Sequence, residues 1–295
     1  MGYLFLSVAL FAGLTKAYCG KKTSGYTQSI NDAVVANVLR MIFCIIIGLV
    51  VLLLEGSLGF LKIDFSTLAV SMLSGISTAV FVVSWLLSVK KGAYMLVEIF
   101  LMLGVLLPLV LSSIFLNESI QTTDWIGFII LVVAVAIMCS YNNSQQNRLT
   151  VSAVLLLIIC GIAYGLSDFS QKLFAAKSSD VPASVFNFYT YVFALIVLLP
   201  VVLIYKNKNN ADSKTDIKKI IWYILIMSVC LFANSYFKTR AAYYISSVQL
   251  YPLNQSAALV LSAIMSHLFF KEKLTAKCIS GIALALIGIL TINVL

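Results

Sequence analysis

Long apolar runs alternate with short polar connectors along the whole chain. The runs are continuous rather than apolar at every second residue, which indicates membrane-spanning helices and not the strands of a membrane barrel. Most runs approach the roughly 20 apolar residues that a helix needs to cross a bilayer. We predict ten spans, near residues 2–20, 33–54, 66–88, 93–116, 124–141, 151–174, 182–205, 218–237, 243–270 and 275–294.

The composition agrees with this pattern. Of 295 residues, 61% are hydrophobic and 11% are charged, whereas soluble globular proteins are roughly half apolar and a quarter charged. The bilayer must therefore solvate most of the chain, which excludes most soluble enzymes and binding modules. We expect an all-α polytopic protein of the cytoplasmic membrane without a soluble domain.

The formal net charge is +9, from 20 Lys and Arg against 11 Asp and Glu. The basic residues are scattered among short connectors and form no single stripe, so they fit anionic lipid headgroups and not a nucleic acid. One set of connectors holds most of them, and the positive-inside rule predicts that this set is cytoplasmic. With ten spans, both termini would then lie outside.

Residues for chemistry or metal binding are scarce. The six cysteines have no metal-ligand spacing and are predicted to be small buried hydrophobes. The single histidine belongs to no HExxH motif, and neither a Gly-x-Ser-x-Gly turn nor a phosphate-binding loop is present. We therefore predict no enzymatic activity, no metal and no cofactor, and expect energy from a gradient or exchange.

The sequence contains a weak internal repeat. Similar segments lie at 116–120 (LNESI) and 270–274 (FKEKL), at an offset of 154, and at 13–16 (GLTK) and 165–168 (GLSD), at an offset of 152. Two halves of five spans each, 1–146 and 147–295, follow. Because five is odd, the second half must be inverted relative to the first, an arrangement typical of secondary transporters.

Residues 88–138 and their counterpart 241–290 resemble the ends of the two repeats in the EamA-type transporters of the drug/metabolite transporter superfamily. The segment 36–41, which contains Arg40, resembles the second helix of that family. The resemblance implies a ten-helix carrier whose central cavity lies between helices 1 to 4 and 6 to 9. It implies no substrate, because members move amino acids, nucleotide sugars, sugar phosphates, amines and drugs. The small multidrug relatives carry an essential carboxylate in helix 1, where this chain has Lys16.

Glu98 lies within the fourth predicted span, where an ionisable group costs about 2.5–3.5 kcal/mol on insertion scales. Two roles are open to it: it faces a cavity and binds a cation or proton there, or it forms an ion pair with Lys90, Lys91 or Arg40. Its repeat counterpart is Pro252, which we predict to break the ninth span.

Lys16 and Asp168 occupy matching positions in the two halves. They could together hold the carboxylate and ammonium of a zwitterion, or bridge each other, while Lys172 offers Asp168 a partner four residues along its own helix. Arg40 could bind an anionic group or extend its side chain to the headgroups.

Aromatic and amide side chains complete the predicted site. Uncharged polar groups can orient a small ligand and aromatic faces suit an ammonium group, although tyrosines also form interfacial belts. The predicted lining residues of this kind are Trp85, Tyr94, Gln249, Tyr251, Asn254 and Gln255. Glu118 and Glu272 are expected at helix ends, where a carboxylate complements the helix dipole.

The sequence thus predicts a secondary transporter that moves a small polar metabolite by alternating access, in exchange or with a coupled proton. An amino-acid-like zwitterion or an organic amine is favoured. A sugar phosphate, nucleotide sugar or drug is the alternative substrate, and a passive pore or structural membrane protein the alternative class.

Overall fold

The fold is helical throughout the described part of the chain. The computed structural model describes residues 1–27, 30–61, 64–91, 94–142, 150–208, 217–271 and 275–294, and no strand occurs among them. A short 3-10 helix, Ser57–Leu61, follows the second of the α-helices. The α-helices are α1 Gly2–Ser24, α2 Ile30–Leu54, α3 Phe65–Lys91, α4 Tyr94–Gly104, α5 Leu106–Leu116, α6 Thr122–Asn142, α7 Val151–Lys177, α8 Ala183–Lys208, α9 Ile217–Ala242, α10 Ser247–Phe270 and α11 Ala276–Val294.

Within those residues, seven helices are long and apolar enough to cross a membrane: α1, α2, α3, α7, α8, α9 and α10. Three shorter apolar stretches, Phe100–Leu116, Thr122–Ala134 and Ile279–Ile292, lie in α4 to α6 and in α11. Every predicted span overlaps at least one helix. The chain is therefore an integral membrane protein, and the number of ten crossings stays a prediction.

The fourth predicted span consists of two helices. α4 ends at Gly104, and α5 begins after Val105, whose N–H bonds the carbonyl of Met102 at 3.2 Å in a tightened turn. Pro108 explains the break, because it has no N–H to offer the Gly104 carbonyl four residues earlier and its ring crowds that oxygen. Opposite Gly104 lies Gly161 of α7, so close that a Cβ on Gly104 would overlap the Gly161 carbonyl.

The predicted break at Pro252 is wrong. α10 runs without interruption from Ser247 to Phe270, with Pro252 buried in its second turn. The proline removes one backbone hydrogen bond, which transmembrane helices tolerate when neighbouring helices and hydroxyls compensate. The carbonyl that loses its partner is that of Val248, four residues earlier. The Ser256 Oγ donates to the carbonyl of Pro252 itself at 2.5 Å.

The contacts between helices come in matched sets. α1 packs on α9 as α3 packs on α7, and α2 packs on α9 as α3 packs on α8. α1 also contacts α10, and α4 and α5 contact α7. Two further contacts, α2 with α8 and α6 with α11, join helices at corresponding places in the two predicted halves. α6 and α11 approach closely where Gly127 meets Gly288.

The bundle has an apolar surface, and its mainly apolar interior also holds charged side chains. Phe65, Leu54 and Trp222 are among many large apolar side chains that are exposed, whereas Glu98 and Asp168 are buried. This distribution suits lipid as the surrounding solvent. As predicted, Cys19, Cys44 and Cys160 are free and buried, while Cys230 is partly exposed. The side chains of Cys139 and Cys278, and the whole of Glu272, lie outside the described part.

Candidate functional site

A small cavity is lined by six helices of the bundle, three from each of the two predicted halves. Its lining residues are Leu10, Gly13, Leu14, Lys16 and Ala17 of α1, Phe81 and Trp85 of α3, Tyr94, Glu98 and Leu101 of α4, Tyr164 of α7, Asn234 of α9, and Asn254, Gln255, Ala258 and Ser262 of α10. The space open to the centres of water molecules is about 50 Å³. Since one water needs about 10–15 Å³ by this measure, the cavity holds on the order of four waters.

Glu98 is the only carboxylate among the described lining residues. It is 6% exposed, and the side chains of Trp85, Tyr94 and Gln255 face its carboxylate as hydrogen-bond donors. The Gln255 amide also approaches the Glu98 backbone carbonyl at 3.5 Å. α4 and α10 therefore hold this carboxylate in one place on the cavity wall.

Tyr94 is fixed by the helix opposite. Its hydroxyl lies 2.9 Å from the Ser262 hydroxyl of α10, and its ring packs edge-on against Trp85, with centroids 6.4 Å apart. Both aromatic residues are buried. The predicted grouping of Trp85, Tyr94 and Glu98 around one site is thus present in the geometry.

Lys16 supplies the positive charge of the cavity wall. Its side chain is half-buried, and its ammonium lies 5.6 Å from the centroid of the Phe81 ring. Within the described part of the chain, no carboxylate comes within 4.0 Å of this ammonium. Lys16 therefore faces the cavity as a cation close to an aromatic ring, in the same space as Glu98.

Asp168 is paired, but not with the predicted partners. It is 1% exposed, and its Oδ1 lies 2.5 Å from the Lys238 ammonium of α9. The Lys238 ammonium also lies 5.0 Å from the centre of the Tyr164 ring. A direct Lys16–Asp168 bridge is therefore not formed. Lys238 was expected in a connector after residue 237, whereas α9 continues to Ala242 and carries it into the bundle.

The alternative pairing of Asp168 with Lys172 is also wrong. The Lys172 ammonium lies 3.0 Å from Glu118 Oε1 and donates to the carbonyls of Ala242 and Ile245 at 3.2 and 2.8 Å. Glu118 Oε2 accepts a hydrogen bond from the Ser247 N–H at 2.9 Å. Glu118 thus does meet a helix N-terminus, that of α10, and Lys172 joins it to the ends of α7 and α9.

The four predicted site residues of α10 lie at three different places. Asn254 and Gln255 line the cavity, whereas Tyr251 does not and donates its hydroxyl to the Asp168 backbone carbonyl at 2.6 Å. Gln249 belongs to a separate pocket beside Glu118, at the N-terminal end of α10. Residues 251, 254 and 255 lie on one face of α10, because they are three and four positions apart. Only 254 and 255 lie far enough from the helix start to reach the cavity.

Arg40 is buried outside the cavity lining and is 3% exposed. Its Nη1 approaches the Asn37 Oδ1 at 3.4 Å, and its Nε has no hydrogen-bond partner. The guanidinium therefore neither reaches the headgroups nor pairs with Glu98, which removes two of the interpretations offered above.

The sequence reasoning missed three polar residues of the lining, Tyr164, Asn234 and Ser262. Tyr164 precedes Asp168 by one turn of α7, and its ring packs against Phe81 with centroids 5.4 Å apart. Asn234 lies in the middle of α9 and donates its amide to the Ala9 carbonyl at 2.6 Å. An asparagine within an apolar span is itself a signal, because an unpaired amide there is costly.

Comparisons with known proteins agree with this architecture. The EamA-like transporter family matches residues 151–294. No curated protein matches the sequence. A solved structure described as "Crystal structure of protein" is similar to this chain with a TM-score of 0.71 and 15% sequence identity, over 99% of this chain and 97% of that one. This likeness concerns the fold alone.

The family match concerns the second half of the chain. EamA-like proteins are transporters and not enzymes, which fits the prediction of no enzymatic activity. The membrane-spanning helices and the match support each other, because the matched segment contains α7 to α11. Residues 151–294 form a domain of the EamA-like transporter family, which belongs to the drug/metabolite transporter superfamily of membrane transporters.

Proposed function

We propose that this protein is a secondary transporter that carries a small, polar, charged metabolite across the cytoplasmic membrane. The observation that carries the proposal is the pair of opposite charges, Glu98 and Lys16, on the wall of one small cavity. Charged side chains at bilayer depth are costly and typically mark a substrate or ion pathway. In a transporter of this superfamily, both charges could bind the substrate.

The proposed mechanism is alternating access between two inverted halves, 1–146 and 147–295. Two helix ends support the repeat: α5 and α10 are followed by Asn117 and Lys271, with φ of 54° and 53°. Their backbone N–H groups bond the carbonyls of Ser112 and Ser266. These four residues form two pairs at the offset of 154 found in the sequence.

The matched contacts between helices also support inverted repeats. In the proposed repeat, α1, α2, α3 and α6 correspond to α7, α8, α9 and α11, and α4 with α5 corresponds to α10. When each helix is replaced by its counterpart, the α1–α9 contact becomes the α7–α3 contact, which is also present. The α2–α8 and α6–α11 contacts map onto themselves. A site at the junction of two such halves can be exposed to either side by rocking one against the other. Ten crossings, with α4 and α5 forming one, follow from this arrangement.

An amino-acid-like zwitterion or an organic amine fits the site best. Glu98 can accept the ammonium group, with the Trp85 and Tyr94 rings beside it, and Lys16 can accept a carboxylate. A nucleotide sugar or sugar phosphate would require more cations on the wall and more space than this cavity provides. A multidrug substrate is disfavoured because α1 presents a lysine in place of a carboxylate. The partners are thus a small molecule, the lipid bilayer, and a coupled proton or exchanged solute.

The test begins with purified protein and a thermal-shift screen of amino acids, amines, nucleotide sugars and phosphorylated sugars. We expect stabilisation by a member of the first two classes. Glu98→Gln should weaken the binding of that compound by roughly 10- to 150-fold, since a hydrogen bond to a charged group contributes about 1.5–3 kcal/mol.

Glu55→Gln is the matched control, because the Glu55 carboxylate lies outside the cavity and accepts hydrogen bonds from Ser184 and Tyr236, each at 2.5 Å. The affinity of the Glu55→Gln variant for the compound should equal that of the wild type. Equal affinity in Glu98→Gln would remove Glu98 from the binding site, and stabilisation by nucleotide sugars alone would overturn the proposed substrate class.

A further inference from the structure

One polar cluster joins the two proposed halves at the end of the bundle where α5 and α7 end. Glu118, in the turn after α5, belongs to the first half, and both of its carboxylate oxygens contact the second. Its Oε1 lies 3.0 Å from the Lys172 ammonium of α7, and its Oε2 accepts the Ser247 N–H of α10 at 2.9 Å. The Ser247 hydroxyl donates to that of Ser112 of α5, also at 2.9 Å. Two helices of the second half are thus bound to the end of one helix of the first.

These four residues, which we call the latch, lie about two helical turns from the central cavity. Along α7, Tyr164 of the cavity wall lies about two turns before Lys172. Along α10, Asn254 of the wall lies about two turns after Ser247. The latch and the cavity therefore follow one another along the same two helices.

The cavity extends away from the latch, toward the start of α4. α10 contacts the latch with its first residue, Ser247, and contacts Tyr94 with Ser262, about four turns farther along. Tyr94 is the first residue of α4 and belongs to the cavity wall. The cavity is therefore located between the latch and the start of α4, and the latch lies across one of the two directions in which it could open.

The ion pair of the latch reaches water, whereas the Asp168–Lys238 pair does not. The side chains of Lys172 and Glu118 are 11% and 19% exposed, against 3% and 1% for Lys238 and Asp168. A polar recess of about 610 Å³ borders Glu118. Breaking a fully buried pair leaves uncompensated charges, but partners that reach water are solvated when they separate. Of these two pairs, the latch is the one that can open and close reversibly.

We propose that the latch is the gate of the central cavity at this end of the bundle and is closed in this structure. The gate opens when Glu118 and Ser112 move away from Lys172 and Ser247, the motion expected of two halves that rock against each other. Lys172 also bonds two carbonyls at and just after the end of α9, so these helix ends of the second half would move together. The inference rests on the proposed function, because a gate is needed only where the cavity opens to each side in turn.

The test measures access to the cavity from each face of the membrane. Ala258→Cys places a thiol on the cavity wall, and its reaction with a charged, membrane-impermeant methanethiosulfonate is followed in intact cells and in inverted membrane vesicles. The reaction of the native cysteines, measured without this substitution, is subtracted. Ser119→Cys, exposed beside Glu118, identifies which preparation presents the latch. With the latch intact, the cavity thiol should react faster from the opposite face.

Glu118→Gln should raise the rate from the latch face about tenfold and lower the rate from the opposite face, since it shifts the population toward the state open at the latch. A purely structural role would not produce opposite changes, because local loosening does not close the other face. Asp124→Asn is the matched control. Its carboxylate borders the same recess but accepts the Gln121 N–H of its own turn at 2.7 Å, so both rates should equal those of the wild type.

A disulfide across the latch gives a second measurement that does not depend on the folding of Glu118→Gln. The hydroxyl oxygens of Ser112 and Ser247 are 2.9 Å apart, so cysteines at both positions are close enough to form a disulfide. In Ser112→Cys/Ser247→Cys, oxidation should abolish the exchange of labelled amino acids across proteoliposomes, and reduction should restore it. The single variant Ser112→Cys should respond to neither treatment.

Unchanged rates from both faces in Glu118→Gln would overturn the gate and leave the carrier in place, and so would exchange that persists in the oxidised double variant. Equal rates from both faces with the latch intact would indicate an open pore. That result would overturn the gate and the proposed function together.

Discussion

Buried charged residues determine most of what is specific about this molecule at the scale of single side chains. The hydropathy pattern was sufficient to find Glu98, Lys16 and Asp168, because each interrupts an apolar run. It did not find their partners. Lys238 was assigned to a connector, since a span is conventionally ended at its first charge, yet the helix continues and buries the ammonium against Asp168.

The Asp168–Lys238 pair allows a direct test at this scale. Asp168→Asn and Lys238→Met each leave one buried charge without compensation, and we expect each to reduce the free energy of unfolding by about 3–5 kcal/mol. The double variant Asp168→Asn/Lys238→Met should recover most of that loss. The measurement is reversible unfolding by SDS in bicelles, as a double-mutant cycle. Additive losses in the double variant would show that the two charges do not depend on each other.

At the scale of helices, the sequence indicated which segments are helical but not where a helix is interrupted. Both Pro108 and Pro252 lie within predicted spans, and only the former coincides with a break. The difference lies in tertiary packing: Gly104, whose carbonyl loses its partner to Pro108, is pressed against α7, where Gly165 meets that carbonyl oxygen. Apolar periodicity carries no information about such a neighbour 61 residues away in the chain.

The close approach of α4 to α7 predicts the effect of adding one methyl group. In Gly104→Ala the new Cβ would overlap the Gly161 backbone carbonyl, and because backbone cannot move aside as a flexible side chain can, we expect a loss of about 1–3 kcal/mol in unfolding free energy. Gly59→Ala is the control. No atom lies within 4 Å of a Cβ at Gly59, so its effect should stay within about 0.5 kcal/mol. Equal stability of the two variants would contradict the packing described here.

For the whole molecule, composition and run length were enough to predict an all-helical integral membrane protein. The proposed internal repeat is visible in a few residues, such as those at 116–120 and 270–274, because helix ends need particular residues while lipid-facing positions accept any apolar side chain. The cavity was predictable only in part. Which turns of α10 border the cavity depends on helix packing, and so Gln249 and Tyr251 were expected in the lining together with Asn254 and Gln255, of which the latter two join it.

The orientation of the bundle in the membrane rests on the distribution of Lys and Arg among the connectors. With ten crossings, the cationic connectors after α1, α3, α8 and α10 would share one end of the bundle, and the positive-inside rule predicts that this end is cytoplasmic. Along α7, Tyr164 of the cavity wall lies about two turns before Lys172 of the Lys172–Glu118 pair. Opening toward the other end would then require the helix ends joined by that pair to separate.

Counterflow in proteoliposomes tests the central claim, that the molecule is an alternating-access carrier of a small charged metabolite. Vesicles with the purified protein are loaded with an excess of unlabelled amino acids and diluted into a trace of the same compounds carrying a radiolabel. A carrier predicts transient accumulation of label inside, above its equilibrium level, in wild-type vesicles, and none in Glu98→Gln or protein-free vesicles. Entry of label at the same rate with and without internal amino acids would instead indicate a pore and contradict the account.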